Sequence, residues 1–265
     1  MIRLIATDMD GTLLDSQKRL PEGFLDAIQA LYARGVLFAV ASGRQYAALR
    51  RDFESLVPYI YFICENGALV MYRDEQVLID PMNTEDLFDT VTACRALDGV
   101  YPVICRAQMG LIESSADPDF ILDTRRYYPS SQIVDDQRAH CTYKDVCKVA
   151  FYDKGDAQTH ELPVLMEKLG ERLSVILSGE HWVDVMKKGV NKGTAMRRLQ
   201  AMLGIAGEEC MAFGDYLNDY ELLESVGESY AMANSHPALL KLAKYTAPSN
   251  DENGVMRVIR ERFSL

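Results

Sequence analysis

Two aspartates separated by one residue follow an apolar stretch near the start of the sequence. Asp8 and Asp10 come directly after the segment IRLIAT and are followed by Gly11 and Thr12. Two neighbouring carboxylates repel each other, and their pKa values rise, unless a cation or hydrogen-bond donors compensate the charge. A turn after a strand explains such a pattern when it stands alone. A site that binds a divalent cation and moves protons is the functional alternative.

Similar polar residues follow three other apolar stretches, and a lysine opens a later helical pattern. They are Ser42 with Gly43, Asn66 with Gly67, the segment GDYLND with Asp215, Asn218 and Asp219, and Lys192. Taken singly, each of them also fits a structural role as a helix cap or a solvated side chain. In an open parallel sheet, ligands bind at the carboxyl ends of the strands. The four polar clusters together therefore predict one site at one edge of a sheet.

The first 65 residues alternate strand and helix patterns. IRLIAT, VLFAVAS and YIYFICENG are apolar runs of the kind found in strands that are buried on both faces. Between the first two runs, Phe24, Leu25, Ile28 and Leu31 are spaced as on one face of a helix. This alternation predicts a Rossmann-like parallel sheet with helices on both faces.

The middle of the chain has a different pattern, and the strand and helix alternation returns from Gly189. Two short strands around Arg73 and Asp74 predict a hairpin, and a helix is expected from about Thr84 to Leu97. Shorter strands and another helix follow, as in an α+β domain. The sequence thus predicts an α/β core domain of residues 1–82 and 188–265 with an inserted α+β cap domain of residues 83–187.

Composition and charge exclude several classes of function. The chain has 265 residues, a net charge of −11 and an isoelectric point near 4.9. Such a charge predicts that neither nucleic acid nor an anionic membrane is the main partner. The first residues contain no apolar stretch of the secretory type, and six scattered cysteines form no CxxC pair, which together predict a cytoplasmic protein.

The predicted cluster of charges has the chemistry of a phosphoryl site. A hard divalent cation would relieve the repulsion among Asp8, Asp10 and Asp215, and Mg²⁺ binds a few carboxylates while it keeps room for a substrate phosphate. Lys192, the hydroxyl of Ser42 and loop amides could hold phosphate oxygens. Phosphoryl transfer depends mostly on positioning and on neutralising charge, and this set of residues supplies both.

These segments resemble the motifs of the haloacid dehalogenase superfamily. The resemblance lies in DMDGT at Asp8 to Thr12, SGR at Ser42, Lys192 in KGVNKGTAM, and GDYLND. CENGA after the third strand and NDENGVMRVI further on are similar to its Cof-type phosphatases, and the insertion resembles their large α/β cap. The resemblance implies a Mg²⁺-dependent phosphatase that forms an aspartyl-phosphate intermediate.

The resemblance also implies a role for each matching residue. Asp8 would be the nucleophile, and Asp10 the general acid and then the general base. The phosphate would be held by Lys192, Ser42, Gly43, Asn218 and the backbone amide of Met9. Mg²⁺ would be bound by the carboxylate of Asp8, the backbone carbonyl of Asp10 and the carboxylate of Asp215. Asp219 would orient Lys192 or a metal-bound water.

Three functions remain open at this level. A phosphatase of small phosphorylated metabolites, such as sugar phosphates or phosphorylated cofactors, is the leading hypothesis. A sugar phosphomutase would share the core residues and release little inorganic phosphate. A phospho-accepting signalling module also gathers carboxylates and a lysine around Mg²⁺, but it lacks the second acid at Asp10 and the long insertion. The physiological substrate and the oligomeric state are not determined by the sequence.

Overall fold

The computed structural model describes residues 1–95 and 97–265, with the side chains of residues 123 and 126 also outside the description. It divides into two compact units. The first comprises residues 1–43, 52–78 and 191–265, and the second comprises residues 44–51 and 79–190. Since contacts alone do not define a domain that folds independently, the domain boundaries expected at residues 83 and 187 stay a prediction.

The strands and helices are numbered in chain order. The strands are β1 Leu4–Thr7, β2 Leu37–Ala41, β3 Ile60–Cys64, β4 Leu69–Tyr72, β5 Glu75–Ile79, β6 Val100–Arg106, β7 Gly110–Glu113, β8 Ser131–Val134, β9 Val146–Asp153, β10 Leu173–Gly179, β11 Trp182–Lys187, β12 Cys210–Gly214, β13 Glu228–Met232 and β14 Tyr245–Ala247. The α-helices are α1 Phe24–Ala33, α2 Tyr46–Asp52, α3 Thr84–Cys94, α4 Pro118–Tyr127, α5 Glu161–Leu169, α6 Lys192–Leu203, α7 Tyr220–Glu224, α8 Pro237–Leu242 and α9 Gly254–Phe263.

The first unit is built on an eight-stranded sheet in the order β14-β13-β12-β1-β2-β3-β4-β5. The six strands from β14 to β3 are parallel, and β4 is antiparallel to β3. All four residues of β1 are buried, because this strand lies in the middle of the sheet with helices on both faces. The apolar runs in the sequence therefore correspond to the strands that position the site.

Helix α1 follows the spacing expected from the sequence except at Leu25, which is only partly buried. In α1 the buried side chains are Phe24, Ala27, Ile28 and Leu31, which lie on one helix face. Burial of one such face supplies most of the stability of a helix this short, because an isolated ten-residue helix is marginal in water.

The second unit contains a six-stranded sheet in the order β10-β11-β9-β6-β7-β8. Alternate strand residues point to opposite faces. Ile104 and Val149 belong to the core that includes buried residues of α3 and α5, whereas Val103 and Ala150 pack with Phe120 of α4 on the other side. This arrangement confirms the expected α/β fold with a parallel-sheet core and a second α+β sheet.

Several details differ from the expectation or sharpen it. Arg73 and Asp74 form the turn between β4 and β5, both with positive φ, as the predicted hairpin requires. Helix α3 ends at Cys94, and residue 96 of the expected helix lies outside the described residues. The sequence analysis missed α4 and β8. Among the described residues, no helix combines the length and the apolar character needed to cross a bilayer.

Candidate active site

The predicted site residues lie at the carboxyl ends of four neighbouring parallel strands. Because β12, β1, β2 and β3 are consecutive in the sheet, Asp215, Asp8, Ser42 and Asn66 follow their ends at one edge. Backbone hydrogen bonds continue the sheet into these residues. The amide of Asp8 donates to the carbonyl of Phe213 at 3.0 Å, and the amide of Asn66 donates to the carbonyl of Ser42 at 3.1 Å.

Lys192 is the first residue of α6 and reaches two of the carboxylates. Its Nζ donates hydrogen bonds of 2.6 Å to Asp8 Oδ1 and to Asp219 Oδ1, and its side chain is 1% exposed. Asn191 fixes this helix start, because its side chain accepts a hydrogen bond from the amide of Thr194 in a capping box. The structure therefore places a buried ammonium group between the predicted nucleophile and Asp219.

Asp219 is fully buried and holds the loop that follows β12. Besides the bond from Lys192, its Oδ2 accepts hydrogen bonds from the amides of Asp215 and Tyr216 at 3.1 and 3.3 Å. A Cβ at Gly214 would lie 2.5 Å from the Cβ of Asp219, so only glycine leaves room for this side chain. The carboxylate of Asp219 thus connects Lys192 with the backbone that carries Asp215.

Asp215 is positioned by residues of the loop that follows β1. Thr12 Oγ1 donates a hydrogen bond of 2.7 Å to Asp215 Oδ1. Gly11 has a φ of +85°, and a Cβ there would lie 2.4 Å from Asp215 Oδ2. A glycine is required at this position both for the left-handed backbone and for the close approach of the carboxylate.

Burial and mutual repulsion control the charges in the site. Burial raises the pKa of Asp8 to about 8, although Lys192 lowers it, and the carboxylates of Asp219 and Asp215 raise it further. Burial also raises the pKa of Asp215. Burial lowers the pKa of Lys192, but Asp219 and Asp8 outweigh this effect, so its pKa lies above the ordinary value. Lys192 is charged, and further positive charge would favour the ionised forms of Asp8 and Asp215.

The donor set fits a hard divalent cation. Carboxylate oxygens of Asp8, Asp215 and Asp219 all lie within 4.8 Å of one another. Oxygen ligands from carboxylates are those that Mg²⁺ prefers in proteins, and a cation among them would favour their charged forms. The acidic cluster is therefore able to bind a metal ion.

The two other residues of the first motif are placed differently. The carboxylate of Asp10 is 36% exposed, and its Oδ1 accepts a hydrogen bond of 2.7 Å from Lys18 Nζ. It does not belong to the group of carboxylates that could hold a metal. Met9 lies between the two aspartates with its side chain fully buried.

The residues expected to hold phosphate surround Asn66. Ser42 is buried at the end of β2, and a Cβ at Gly43 would lie 3.0 Å from Asn66 Oδ1. Asn218 Nδ2 donates a hydrogen bond of 3.4 Å to the same oxygen. Asn66 has a positive φ of 53°, which asparagine adopts more readily than most residues. The structure thus places Gly43 and Asn218 beside the amide side chain of Asn66, while the carbonyl of Ser42 accepts a hydrogen bond from the backbone amide of Asn66.

The sequence analysis assigned no role to Thr12, Asn66 or Lys18, although each contacts a predicted site residue. Thr12 and Asn66 stand inside the quoted motifs, and their polar side chains were a usable signal. Lys18 lies eight residues beyond Asp10, and no spacing rule connects the two.

A family model supplies the decisive comparison. The model of the haloacid dehalogenase-like hydrolases matches residues 5–259. The chain belongs to this family. The match includes every predicted site residue, and it confirms the resemblance carried by the four motifs.

Curated relatives and a solved structure cover almost the whole chain. It is 31% identical over 264 residues to 5-amino-6-(5-phospho-D-ribitylamino)uracil phosphatase YbjI of Escherichia coli K12, covering 97% of this chain and 95% of that protein. It is 34% identical over 249 residues to the HMP-PP phosphatase of Citrobacter koseri, covering 91% and 87%. The crystal structure of SMU.1108c from Streptococcus mutans UA159 superposes with a TM-score of 0.86 at 26% identity and full coverage of both chains.

These findings confirm the enzyme class expected from the sequence. This chain is a phosphoric monoester hydrolase. Relatives that are named as phosphatases align with more than nine-tenths of its length.

Proposed function

We propose that this hydrolase is a Mg²⁺-dependent phosphatase of small phosphorylated metabolites that works through an aspartyl-phosphate intermediate. The observation that carries the proposal is the buried ammonium group of Lys192, which bonds both Asp8 and Asp219 at 2.6 Å. A fixed positive charge beside a carboxylate at a strand end is suited to hold a phosphoryl group next to a nucleophile.

In the first step, a carboxylate oxygen of Asp8 attacks phosphorus, and the bond between phosphorus and the alcohol oxygen breaks. Asp10 donates a proton to the leaving oxygen, so that the alcohol departs neutral. In the second step, Asp10 removes a proton from water, and the water oxygen attacks the phosphorus of the phosphoaspartate. The bond to Asp8 breaks, inorganic phosphate leaves, and both aspartates return to their starting states.

The remaining residues bind the phosphoryl oxygens. Lys192 supplies the charge, while Ser42, the amide of Gly43, Asn218 and the amide of Met9 supply hydrogen bonds. The placement of Gly43 and Asn218 beside the side chain of Asn66, and of Ser42 next to its backbone amide, supports this grouping. Donors fixed before the reaction stabilise the transferred group without reorganisation.

Asp8 and Asp215, with the backbone carbonyl of Asp10, would hold the Mg²⁺ ion. When bound, Mg²⁺ supplies positive charge that offsets the repulsion among the carboxylates and the charge of the phosphate. Asp219 is the third carboxylate of the cluster, but Lys192 and two backbone amides already bond to it. We therefore assign Asp219 to the orientation of Lys192 rather than to the metal.

The names of the relatives support small phosphorylated metabolites as substrates. One relative is named for a phosphoribityl compound and another for HMP-PP. Sugar phosphates and phosphorylated cofactors remain the proposed substrate class. The hydrolase family disfavours the signalling module, since that function would require the phosphoaspartate to persist.

A screen of phosphate release tests the proposal. The wild-type protein and the variants Asp8→Asn and Asp10→Asn are incubated with a panel of sugar phosphates and phosphorylated cofactors, with Mg²⁺ or with EDTA. We expect the wild type to release phosphate with Mg²⁺ but not with EDTA, and Asp8→Asn to release none. Undiminished release by Asp8→Asn would contradict the proposal. Isomerised sugar phosphate with little free phosphate would identify a phosphomutase instead.

A further inference from the structure

Lys18 contacts the carboxylate of Asp10 from outside the four motifs. Its Nζ lies 2.7 Å from Asp10 Oδ1, and the side chains of Lys18 and Asp10 are 60% and 36% exposed. Ion pairs at such exposure contribute only about 0–1 kcal/mol to stability. The contact is therefore of little use for folding, whereas it involves the group proposed to transfer the proton.

The backbone of Lys18 is held in an unfavourable conformation by a turn built on Asp15. Lys18 has a φ of +62°, in the left-handed region that costs a non-glycine residue about 1 kcal/mol. Asp15 Oδ1 accepts hydrogen bonds from the amides of Gln17 and Arg19, both at 2.9 Å, and the carbonyl of Asp15 accepts one from the amide of Lys18 at 2.9 Å. The turn fixes the direction in which the lysine side chain leaves the backbone.

A second set of contacts anchors this turn to a distant part of the same unit. The amide of Ser16 donates a hydrogen bond of 2.8 Å to Asp251 Oδ1, and Ser16 Oγ donates one to Asp251 Oδ2. Asn250 Nδ2 donates to the carbonyl of Leu14 at 2.9 Å. Leu14 and Ser16 are thus bonded to residues 250 and 251, and Asp15 closes the turn, so the backbone that carries Lys18 is fixed next to Asp10.

We propose that Lys18 is a positioning residue for Asp10. It holds Oδ1 of Asp10, so that Oδ2 is the oxygen that carries the proton to the leaving oxygen, and the turn at Asp15 with its anchor at Asp251 keeps Lys18 in place. This inference rests on the proposed role of Asp10 as general acid and base. An ordinary surface ion pair would have the same distance between Lys18 and Asp10, but its removal would not affect catalysis.

The leaving group separates these two explanations. Phenyl phosphate and p-nitrophenyl phosphate have similar shapes, but phenolate is the more basic leaving group and depends more on a proton donor. The catalytic efficiency kcat/KM is measured for both substrates with the wild type, Lys18→Met and Lys18→Arg. Lys244→Met serves as control, because Lys244 is an exposed lysine of the same unit that bonds a backbone carbonyl.

If Lys18 positions the acid, Lys18→Met lowers kcat/KM about 10-fold for phenyl phosphate and less than about 3-fold for p-nitrophenyl phosphate. Lys18→Arg keeps most of the wild-type kcat/KM, since arginine keeps the charge and can reach the same carboxylate. Lys244→Met changes neither value, and the melting temperature of Lys18→Met stays that of the wild type. Equal losses for the two substrates, or no loss, would overturn the inference.

A double-mutant cycle shows whether Lys18 acts through Asp10. In the Asp10→Asn background, the proposal expects no further loss from Lys18→Met. A further loss of the same size would mean that Lys18 acts directly on the substrate, which also overturns it. If Asp10→Asn alone left the hydrolysis of phenyl phosphate unchanged, the role of Asp10 in the proposed function would be the error.

Discussion

Lys192 Nζ lies 2.6 Å from Asp8 Oδ1, although the two residues are 184 positions apart in the sequence. One stands at the end of β1 and the other at the start of α6, so the fold of the first unit creates the contact. Burial makes the contact strong, because the surrounding protein screens charges less than water does. This pair lies at the centre of the site.

Replacement of Gly11 by alanine should weaken metal binding. The new Cβ would lie 2.4 Å from Asp215 Oδ2, so the carboxylate has to move. We expect the Mg²⁺ concentration for half-maximal activity to rise about 10-fold or more, which is the effect of replacing residues that orient metal ligands in other proteins. The measurement is a Mg²⁺ titration of phosphatase activity.

Gly35→Ala is the matched control for this variant. Gly35 also has a positive φ, of +76°, but a Cβ there meets no atom within 4 Å. Alanine is strained in the left-handed region at both positions, which should cost each variant about 1–2 kcal/mol of stability, and only Gly11→Ala adds the clash with Asp215. A Mg²⁺ requirement that rises equally in both would show that backbone strain, and not Asp215, is responsible.

Asp219→Asn should lower kcat while the protein remains folded. The substitution keeps the shape of the side chain but removes the charge that holds Lys192 and weakens the acceptor of two backbone amides. A loss of about 10- to 100-fold is expected from a residue that orients a group in the site.

Steady-state kinetics and thermal unfolding of Asp219→Asn check this expectation. Glu224→Gln is the control, because Glu224 is an exposed acid at the end of α7. Wild-type kcat in Asp219→Asn would show that the position of Lys192 does not depend on the charge of Asp219.

Glu161 makes the stability of the second unit depend on pH. The side chain is fully buried at the start of α5, and burial raises its pKa to about 8, with Asp153 and Asp184 raising it further. The folded state therefore prefers the protonated form. The stability that comes from binding this proton in the folded state is fully present below about pH 4.5, the pKa of Glu161 in the unfolded chain. It is lost as the pH rises towards 8.

Glu161→Gln should remove this dependence, because glutamine is neutral at every pH. Relative to the wild type, the variant should gain on the order of 5 kcal/mol of unfolding free energy at about pH 9, and the gain should vanish near pH 4. Chemical unfolding at several pH values measures the difference. Glu171→Gln, at an exposed glutamate, should show no such trend. A gain that did not change with pH would refute the assignment.

Most of the core fold could be predicted because strands buried on both faces appear as apolar runs. The ends of the runs were recognised correctly at Asp8, Ser42 and Asp215, whereas β3 ends at Cys64, two residues before Asn66. The missed helix α4 begins with a recognisable signal, since Asp117 caps it and Pro118 is its first residue. Its residues face a sheet whose strand order cannot be read from the sequence.

The site was predictable as a set of residues but not as a set of contacts. Four motifs pointed to Asp8, Lys192, Asp215 and Asp219, which do lie together. The sequence did not show that Lys18 reaches Asp10, because that contact depends on a turn held by hydrogen bonds from residues 250 and 251. Contacts between exposed side chains that depend on residues far apart in the chain leave no periodic pattern in a sequence.

The central claim is that Asp8 becomes phosphorylated during turnover. The most direct test mixes Asp10→Asn protein with p-nitrophenyl phosphate and Mg²⁺, quenches with acid, and determines the mass of the peptide that contains Asp8. The good leaving group allows the first step, while loss of the base slows hydrolysis of the intermediate. We predict one added phosphoryl group on Asp8, and none when Asp8→Asn is combined with Asp10→Asn. Release of p-nitrophenol at an undiminished rate by Asp8→Asn, with no phosphoryl group on this peptide, would contradict the account.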